Sequence, residues 1–251
     1  MNRAIGVDVG GSGIKVGLVD LDTGELIGER IRVPTPSPAT PPAVIAATRD
    51  AIGRIPDGDG VPVGIGFPVP FVDGKVMMAA HIDASWIGID ARQAFSDALG
   101  HPVEMLNDAD AAGLGEAAFG AAAGVGGTVL VLTFGTGIGS GLIHDGRLVP
   151  NDELGHIEMH GDAAEKYAAA SIRKKEKLGW TAWAGRVTEY LAHVERVFRP
   201  DLIVMGGGVS NKPEKWLDKV EARPRLVPAA LGNRAGIVGA ALQAGRTAQA
   251  V

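Results

Sequence analysis

The chain of 251 residues is long enough for one large domain or two modest ones, and its formal net charge of -5 argues against nucleic acid or an anionic membrane as the main partner. Because it contains no cysteine, disulfides and thiolate zinc sites are excluded. The first residues enter a strand-like run with no basic region before an apolar core, and no apolar stretch approaches the ~20 residues that span a bilayer, so the sequence predicts a cytoplasmic protein.

The first half of the chain alternates short strands and helices. Residues 4–33 predict three strands in a meander, interrupted at Gly11–Gly13 and at Asp22–Gly24. A proline-rich loop follows over 33–42, where proline restricts the backbone and donates no ladder hydrogen bond. The remaining predictions are a helix over 44–55, a strand over 61–67, a helix from Asp90 to Leu99, and a strand over 103–106 that leads into a small-residue helix.

The second half repeats this pattern. Residues 127–132 and 141–149 predict another hairpin, and residues 183–198 predict an amphipathic helix that ends at Arg199–Pro200. A strand over 201–205 leads into Gly206–Gly208, and a small-residue helix over 235–248 ends the chain. A strand meander followed by helices, written twice, predicts two α/β lobes with a cleft between them, where such folds hold ligands at strand ends.

Two glycine-rich turns are the most informative motifs. Gly6–Lys15 reads GVDVGGSGIK and Leu132–Gly141 reads LTFGTGIGSG, and each turn lies between two strand-like runs. Glycines let such a turn approach a ligand with its N–H groups pointing outward, so two of them are suited to hold a polyphosphorylated ligand. The first turn misses the dinucleotide-binding spacing by one residue, and the chain has no Walker-type motif. Lys15 fits a phosphate ligand and a solvated strand residue equally well.

Two further groups of polar residues are candidates for chemistry. Asp108 lies at a strand-to-helix junction, where the local sequence favours an ordinary N-cap over a general base. Glu153 and His156 are three residues apart with Gly155 between them, a spacing that suits vicinal sugar hydroxyls but equally a surface pair or a metal-ligand pair. The residues alone leave these alternatives open.

Five motifs in this order resemble those of the ROK-type sugar kinases in the actin/hexokinase/Hsp70 superfamily. They are Asp8–Ser12, Asn107–Asp110, Phe134–Gly139, Glu153–His156 and Met205–Gly208. The segment Ser171–Trp180 resembles one branch in particular, the bacterial polyphosphate-dependent glucokinases and polyphosphate/ATP glucomannokinases. The resemblance implies an α/β fold of two RNase H-like lobes with an interlobe cleft. Residues 1–106 plus 236–251 would form a small N-terminal lobe, and residues 107–235 a large C-terminal lobe.

The activity that the resemblance implies is transfer of a phosphoryl group from polyphosphate, ATP or both to the 6-hydroxyl of glucose, with mannose as a further acceptor. It makes Asp108 the catalytic base, which also contacts the sugar together with Asn107, Glu153, His156 and Glu165. Asp8 would orient Mg²⁺ on the phosphates through water. The implied donor-binding residues are Asp8, Gly10, Gly11, Ser12, Gly13, Lys15, Thr133, Gly135, Thr136, Gly137, Gly206, Gly207 and Gly208.

A basic run bears on the choice of donor. Arg173, Lys174, Lys175 and Lys177 form the densest basic cluster of an acidic chain. Basic runs are usually solvated helix faces, whereas the resemblance implies that this one contacts distal phosphates of a polyphosphate.

The sequence departs from the family at several points. Many ROK members bind zinc through a cysteine-rich motif and the same histidine, so the absence of cysteine implies that His156 binds sugar and that no structural zinc is held. Val69 follows Pro68 where relatives usually carry glycine, and His81 stands where they usually carry asparagine. Both positions lie on the expected sugar side and therefore bear on sugar preference.

Two other classes of relative remain as alternatives. A ROK repressor reads DNA with an N-terminal helix-turn-helix, and the residues before the first predicted strand leave no room for one. A catalytically inactive sugar-binding or sugar-sensing relative is the second, and the retention of Asp108 and both glycine turns argues against it. The resemblance is compatible with a homodimer.

Overall fold

The structure, a computed structural model, describes residues 2–72, 74–80 and 82–249. It divides into two compact units. The first unit comprises Met1–Gly115 and Arg234–Val251, and the second comprises Glu116–Asn233. Within the described ranges, no helix combines the length and apolarity needed to cross a membrane.

The first unit contains a five-stranded sheet in the order β3-β2-β1-β4-β7. The three strands of the meander pair antiparallel, and β1, β4 and β7 are parallel to one another. The five strands are β1 (Arg3–Gly10), β2 (Gly13–Asp20), β3 (Leu26–Val33), β4 (Val63–Phe67) and β7 (Val103–Asn107). Around them lie α1 (Pro41–Ile52), the short pair β5 (Phe71–Val72) and β6 (Lys75–Val76), α2 (Ala91–Leu99), the start of α3 (Asp108–Phe119), and α7 (Ala235–Gln249).

The second unit repeats the topology in the order β10-β9-β8-β13-β14. Again a three-stranded antiparallel meander is extended by two parallel strands. The strands are β8 (Thr128–Phe134), β9 (Ile138–His144), β10 (Arg147–Val149), β13 (Leu202–Gly207) and β14 (Arg225–Pro228). The other elements are the two-residue strands β11 (Glu158–Met159) and β12 (Asp162–Ala163), and the helices α4 (Glu165–Ala168), α5 (Ala170–Lys175) and α6 (Trp180–Val197).

Each unit has its own apolar core. In the first, Phe67, Trp86 and Phe95 are fully buried and in mutual aromatic contact. In the second, Trp183 and Trp216 pack edge-on, with ring centroids 4.8 Å apart. Such aromatic pairs contribute beyond the area they bury, so each unit has an independent packing centre.

Glycines bring α7 onto the first sheet. A Cβ at Gly6 would lie 1.9 Å from the carbonyl oxygen of Ile237, and one at Gly64 would lie 1.9 Å from that of Ala240. Any side chain at either strand position would therefore push the helix away. This close approach is one reason for the many small residues that the sequence predicts, and the structure shows, in the last helix.

Most predicted elements are present with small shifts of their ends. The helix that begins after Asp90 has that residue as its N-cap, with the carboxylate accepting from Gln93 N at 2.9 Å, and Gly100 ends it in the left-handed conformation at φ 77°. The amphipathic helix α6 begins three residues earlier than predicted, at Trp180. The sequence analysis did not predict β14, α4 or α5.

Candidate active site

The junction between β7 and α3 shows which side chain caps the helix. Asn107 Oδ1 accepts hydrogen bonds from the backbone N–H of Ala109 at 2.8 Å and of Asp110 at 3.2 Å. These are the bonds of an N-cap, so Asn107 and not Asp108 caps the helix. Asp108 is half-buried while Asn107, Ala109 and Asp110 are buried, so its side chain is the one in this junction that reaches the surface.

The same edge of the first sheet carries Asp8. Because β1, β4 and β7 are parallel, their carboxyl ends lie together, with Asp8 opposite Gly66 and Gly66 opposite Leu106. The Cα of Asp108 lies 3.5 Å from the position that a Cβ on Gly66 would occupy. The structure therefore brings the predicted base and the predicted metal-orienting carboxylate to one sheet edge, within one unit.

Asp8 forms an ion pair with Lys15. The Lys15 Nζ lies 2.6 Å from Asp8 Oδ2, and the two side chains are only 24% and 16% exposed. Lys15 is therefore not a solvated strand residue. A Cβ at Gly236 would lie 3.2 Å from Asp8 Cγ, so the first turn of α7 packs directly against this carboxylate. The positive end of a helix dipole favours a negative group at this place.

The first glycine turn is braced by side chains that sequence reasoning missed. Thr35 Oγ1 donates to the Gly10 carbonyl at 2.5 Å, and an Arg32 guanidinium nitrogen donates to the Ser12 carbonyl at 3.0 Å. A Cβ at Gly11 would have no heavy atom within 4 Å, which leaves the tip of the turn open. The pairing of β2 with β3 is a long-range feature that places Arg32 here, and no local motif indicates it.

The second glycine turn lies beside the triple glycine. In the pairing of β8 with β13, Thr133 is opposite Gly206 and Phe134 is opposite Gly207. Gly207 has φ 79°, and a Cβ there would lie 2.3 Å from the Phe134 carbonyl oxygen. Two of the predicted donor-binding segments thus meet at one edge of the second sheet, and only glycine satisfies both the backbone angle and the close contact at position 207.

The helix α5 is attached to the second turn at its first residues. Ser171 N donates to the Gly135 carbonyl at 3.0 Å, and Ser171 Oγ donates to the Thr136 carbonyl at 2.5 Å. The basic run that begins at Arg173 is therefore fixed next to the glycine turn.

The members of the basic run differ in their surroundings. The Arg173 guanidinium stacks 3.8 Å above the Trp180 ring and donates to the Leu178 carbonyl, so it packs against the segment that follows α5. Lys174, Lys175 and Lys177 are exposed. The structure therefore separates one arginine that holds the segment from lysines whose ammonium groups face solvent.

The predicted sugar-side residues of the second unit are positioned by the start of β9. Glu165 is buried at 9% exposure, and its Oε2 accepts from the Ile138 N–H at 3.2 Å. A Cβ at Gly155 would lie 2.1 Å from the carbonyl oxygen of the same Ile138. His156 Nε2 lies 3.7 Å from Glu153 Oε2, and both side chains are 30% exposed. One residue of β9 thus orients both Glu165 and the turn that carries Glu153 and His156.

A buried polar cluster lies directly behind this turn. Asp152 Oδ1 accepts from Leu142 N at 3.1 Å, and Ser140 Oγ donates to the Asp152 carbonyl at 3.0 Å. Burial raises the pKa of the Asp152 carboxyl above its ordinary range. Tyr190 is fully buried, and burial together with the nearby Asp152 and Glu165 carboxylates raises the pKa of its hydroxyl.

Several predicted positions take no part in these arrangements. Val69 is 1% exposed and packs into the core of the first unit. His81 lies outside the described residues. Among residues 2–72, 74–80 and 82–249, no group of three or more His, Asp or Glu side chains is arranged to hold a metal ion.

A single carboxylate nevertheless fits the requirement of Mg²⁺ in a phosphate site. Magnesium keeps several of its waters and is usually held by one or two carboxylates together with substrate phosphates. Asp8, next to the open tip of a glycine turn, offers that donor set once phosphates are bound.

Comparison with known proteins finds a family whose model matches this chain and proteins that are similar to it. The model of the ROK family matches residues 4–179. The polyphosphate glucokinase of Mycobacterium tuberculosis (strain CDC 1551 / Oshkosh) is 50% identical over 241 residues, which cover 96% of this chain and 90% of that protein.

Two solved structures are similar over almost their whole length. The inorganic polyphosphate/ATP-glucomannokinase from Arthrobacter sp. strain KM matches with a TM-score of 0.94 and 48% identity, covering 98% of this chain and 99% of that one. The ROK family glucokinase from Streptomyces griseus, solved in complex with glucose and AMPPNP, matches with a TM-score of 0.85 and 27% identity, covering 97% and 99%.

Proposed function

Because this chain belongs to the ROK family, we propose that it is a hexose kinase that phosphorylates the 6-hydroxyl of glucose from inorganic polyphosphate and from ATP. The predicted fold of the actin/hexokinase/Hsp70 superfamily is confirmed by the structural matches. The observation that carries the proposal is the pair of carboxylates at one sheet edge. Asp108 is not the cap of its helix, and Asp8 is paired with a lysine beside an open glycine turn.

In the proposed mechanism Asp108 accepts the proton of the sugar hydroxyl as that oxygen attacks the terminal phosphorus of the donor. The bond from that phosphorus to the bridging oxygen breaks, and ADP or the shortened polyphosphate leaves. A general base of this kind must be within hydrogen-bond reach of the hydroxyl, and Asp108, which is only half-buried, is accessible to a bound ligand. Asn107 has its Oδ1 engaged in capping α3, which fixes the start of the helix that carries Asp108. We therefore propose that Asn107 contacts the sugar through its amide nitrogen while its Oδ1 caps the helix.

The sugar contacts proposed for the second unit are Glu153, His156 and Glu165. A carboxylate–imidazole pair three residues apart offers one acceptor and one ring nitrogen to adjacent hydroxyls. A site built from such groups rejects analogues that lack the hydroxyls, because its polar atoms would then be left unpaired. Mannose differs from glucose at a single hydroxyl, and we propose it as a second acceptor.

On the donor, the phosphates are proposed to bind the N–H groups of the two glycine turns, with Lys15 as the cationic contact of the first. Asp8 would hold Mg²⁺ through water, and the cation would supply positive charge that neutralises the charge developing during transfer. Lys15 keeps the Asp8 carboxylate oriented through the 2.6 Å ion pair, and the exposed N–H groups of the first turn add fixed dipoles.

The use of polyphosphate is proposed to depend on α5. Its first residues bind the second glycine turn, so the exposed ammonium groups of Lys174 and Lys175 stand next to donor-binding backbone. A long polyanion has charged groups beyond those that ATP offers, and extra lysines would bind them. Arg173, stacked on Trp180, would hold the segment in place.

The Asp108→Asn variant tests the proposal. It keeps size and polarity but removes the proton acceptor, so kcat for glucose should fall by at least about 100-fold with either donor, as is typical of general-base loss. Production of glucose 6-phosphate would be measured by a coupled assay with polyphosphate and with ATP, and glucose binding by calorimetry should change little. Asp97→Asn, an exposed carboxylate on α2, is the matched control. Near-parental turnover by Asp108→Asn would place the base elsewhere.

A further inference from the structure

Three charged side chains form a row across the first sheet. Asp8 on β1 is directly opposite Lys15 on β2, and Lys15 is directly opposite Arg32 on β3. Residues that are directly opposite in neighbouring strands project from the same face of a sheet. The Arg32 side chain therefore stands on the face that carries Asp8 and Lys15.

The guanidinium of Arg32 lies over the first glycine turn. One of its nitrogens donates to the Ser12 carbonyl at 3.0 Å, and two of them would be 2.9 Å from a Cβ on Gly13. The missing side chain at Gly13 is what allows this position. Because a guanidinium has five N–H donors, the bond to Ser12 leaves most of its hydrogen-bonding capacity available to a ligand.

Among the residues that the structure describes, the charge of Arg32 is not neutralised by a carboxylate, in contrast to that of two other arginines of the first unit. The carboxylate in its row, Asp8, is already paired with Lys15, and the described part of the chain gives Arg32 no ion pair. By contrast, Arg54 pairs with Asp50, and Arg234 pairs with Glu25 at 2.8 Å. An exposed cation that is held by one backbone carbonyl and has no carboxylate partner is available to bind an anionic ligand.

We propose that Arg32 binds a phosphate of the donor beyond the one bound at Lys15, which makes the first glycine turn a two-cation phosphate subsite. This inference rests on the proposed function. Neighbouring strands are about 4.8 Å apart, so Arg32 extends the cationic surface one strand further from Asp8. The planar fork of a guanidinium matches the oxygens of a phosphate in a bidentate manner. A linear polyphosphate carries a charge at every link and would use this contact more than ATP does.

The competing explanation is that Arg32 only braces the turn through Ser12. Two variants separate these roles. Arg32→Gln removes the charge and shortens the side chain, whereas Arg32→Lys keeps the charge and an N–H donor near the Ser12 carbonyl but removes the planar fork. Arg49→Gln, which removes an exposed arginine from the last turn of α1, is the control for net charge.

The experiment measures KM and kcat with long polyphosphate, tripolyphosphate and ATP, and calorimetric binding of tripolyphosphate without sugar. For Arg32→Gln we expect the KM and Kd of the polyphosphates to rise about fivefold to tenfold, the range for losing an exposed charge-assisted hydrogen bond, and their salt dependence to flatten. The KM of ATP should rise less, and kcat and Tm should stay near the parental values. Arg32→Lys should lie between, and Arg49→Gln should match the parent.

Two results would overturn the inference. One is unchanged tripolyphosphate binding in Arg32→Gln. The other is an equal loss with all donors accompanied by a lower Tm, which is the result expected of a brace. Failure of the proposed function gives a different result. The parental protein would then fail to phosphorylate glucose with any of the three donors, while the comparison of tripolyphosphate binding would still test the role of Arg32.

Discussion

Glu116 is a fully buried carboxylate that accepts three backbone hydrogen bonds. Its Oε2 accepts from Ala121 N at 2.8 Å and Ala230 N at 3.0 Å, and its Oε1 accepts from Leu231 N at 2.8 Å. The loop that it holds follows β14, and Ala229 in that loop donates to the Met205 carbonyl at 3.1 Å. We predict that Glu116 fixes the chain beside Gly206 and that replacing it destabilises the second unit.

The magnitude follows from counting donors. In Glu116→Gln the amide oxygen can take the place of Oε2, where it accepts two N–H groups, or of Oε1, where it accepts one. In either orientation the amide nitrogen, itself a donor, faces at least one backbone N–H that is left without an acceptor. A buried donor left unsatisfied costs about 1–3 kcal/mol. Each kcal/mol lowers the Tm of a chain of this size by about 2–4 °C, so we expect a decrease of about 2–12 °C. Glu116→Ala leaves all three donors unpaired and should cost more than Glu116→Gln.

Calorimetry gives the Tm, and hydrogen exchange of the Ala121, Ala230 and Leu231 amides localises the effect. Because the protein has two cores, the exchange rates report on this loop even where unfolding is not two-state. Glu214→Gln, an exposed carboxylate in the same unit, is the control and should leave both measurements unchanged. Parental Tm and parental exchange in both Glu116 variants would refute the reasoning.

Four further predictions concern the donor, the sugar turn, pH and metal. Replacing Lys174 and Lys175 with Ala should raise KM for long polyphosphate several-fold more than KM for ATP, because only the polyanion has distal charges to lose. Gly155→Ala drives a Cβ to 2.1 Å from the Ile138 carbonyl oxygen, so it should cost about 1–3 kcal/mol of stability and raise KM for glucose. The raised pKa of Asp152 means that its contribution to stability is present below the unfolded value of 3.8 and is lost as pH rises through the folded value. Asp152→Asn should therefore gain in stability relative to the parent as pH rises from about 4 to 7. EDTA should abolish kinase activity and Mg²⁺ restore it, with no stoichiometric zinc in the purified protein.

Each of the three substitutions has a matched control. Lys215→Ala with Lys219→Ala removes two lysines of the same unit, Gly179→Ala adds a methyl where no atom lies within 4 Å, and Asp59→Asn removes an exposed carboxylate. Equal KM changes for both donors would contradict the role of α5. If the difference in stability between Asp152→Asn and the parent did not change with pH, the raised pKa of Asp152 would be contradicted. Kinase activity in EDTA would contradict the requirement for Mg²⁺.

The local signals in the sequence were sufficient for most elements. The carboxylate of Asp90 and the left-handed Gly100 mark the two ends of α2, and both features act within a few residues of themselves. The strand-turn-strand pattern at each glycine turn is similarly local, and it predicted two copies of one topology.

Most of the interactions that the sequence did not reveal are long-range, and one is a local choice between neighbouring residues. Glu116 is paired with the backbone of Ala230 and Leu231, more than a hundred positions later, and nothing near Glu116 in the sequence indicates that loop. Arg32 reaches the first glycine turn only through the register of β2 with β3. The choice between Asn107 and Asp108 as the cap depended on which side chain turns back to the N–H groups of Ala109 and Asp110, and adjacent polar residues cannot be separated by pattern.

The two glycine turns are proposed to bind phosphate by different means, and this difference determines which variants affect which donor. The charged groups beside the first turn come from the strands of its own sheet, where Asp8, Lys15 and Arg32 lie in one row. The Asp8–Lys15 pair is close to the reacting phosphate in the proposed mechanism, so loss of either member should lower kcat with polyphosphate and ATP alike. The second turn carries no charged residue between Leu132 and Gly141, and its cations come from α5. Because those lysines are exposed and act by charge alone, their loss should change KM, in proportion to donor length, and leave kcat with ATP intact.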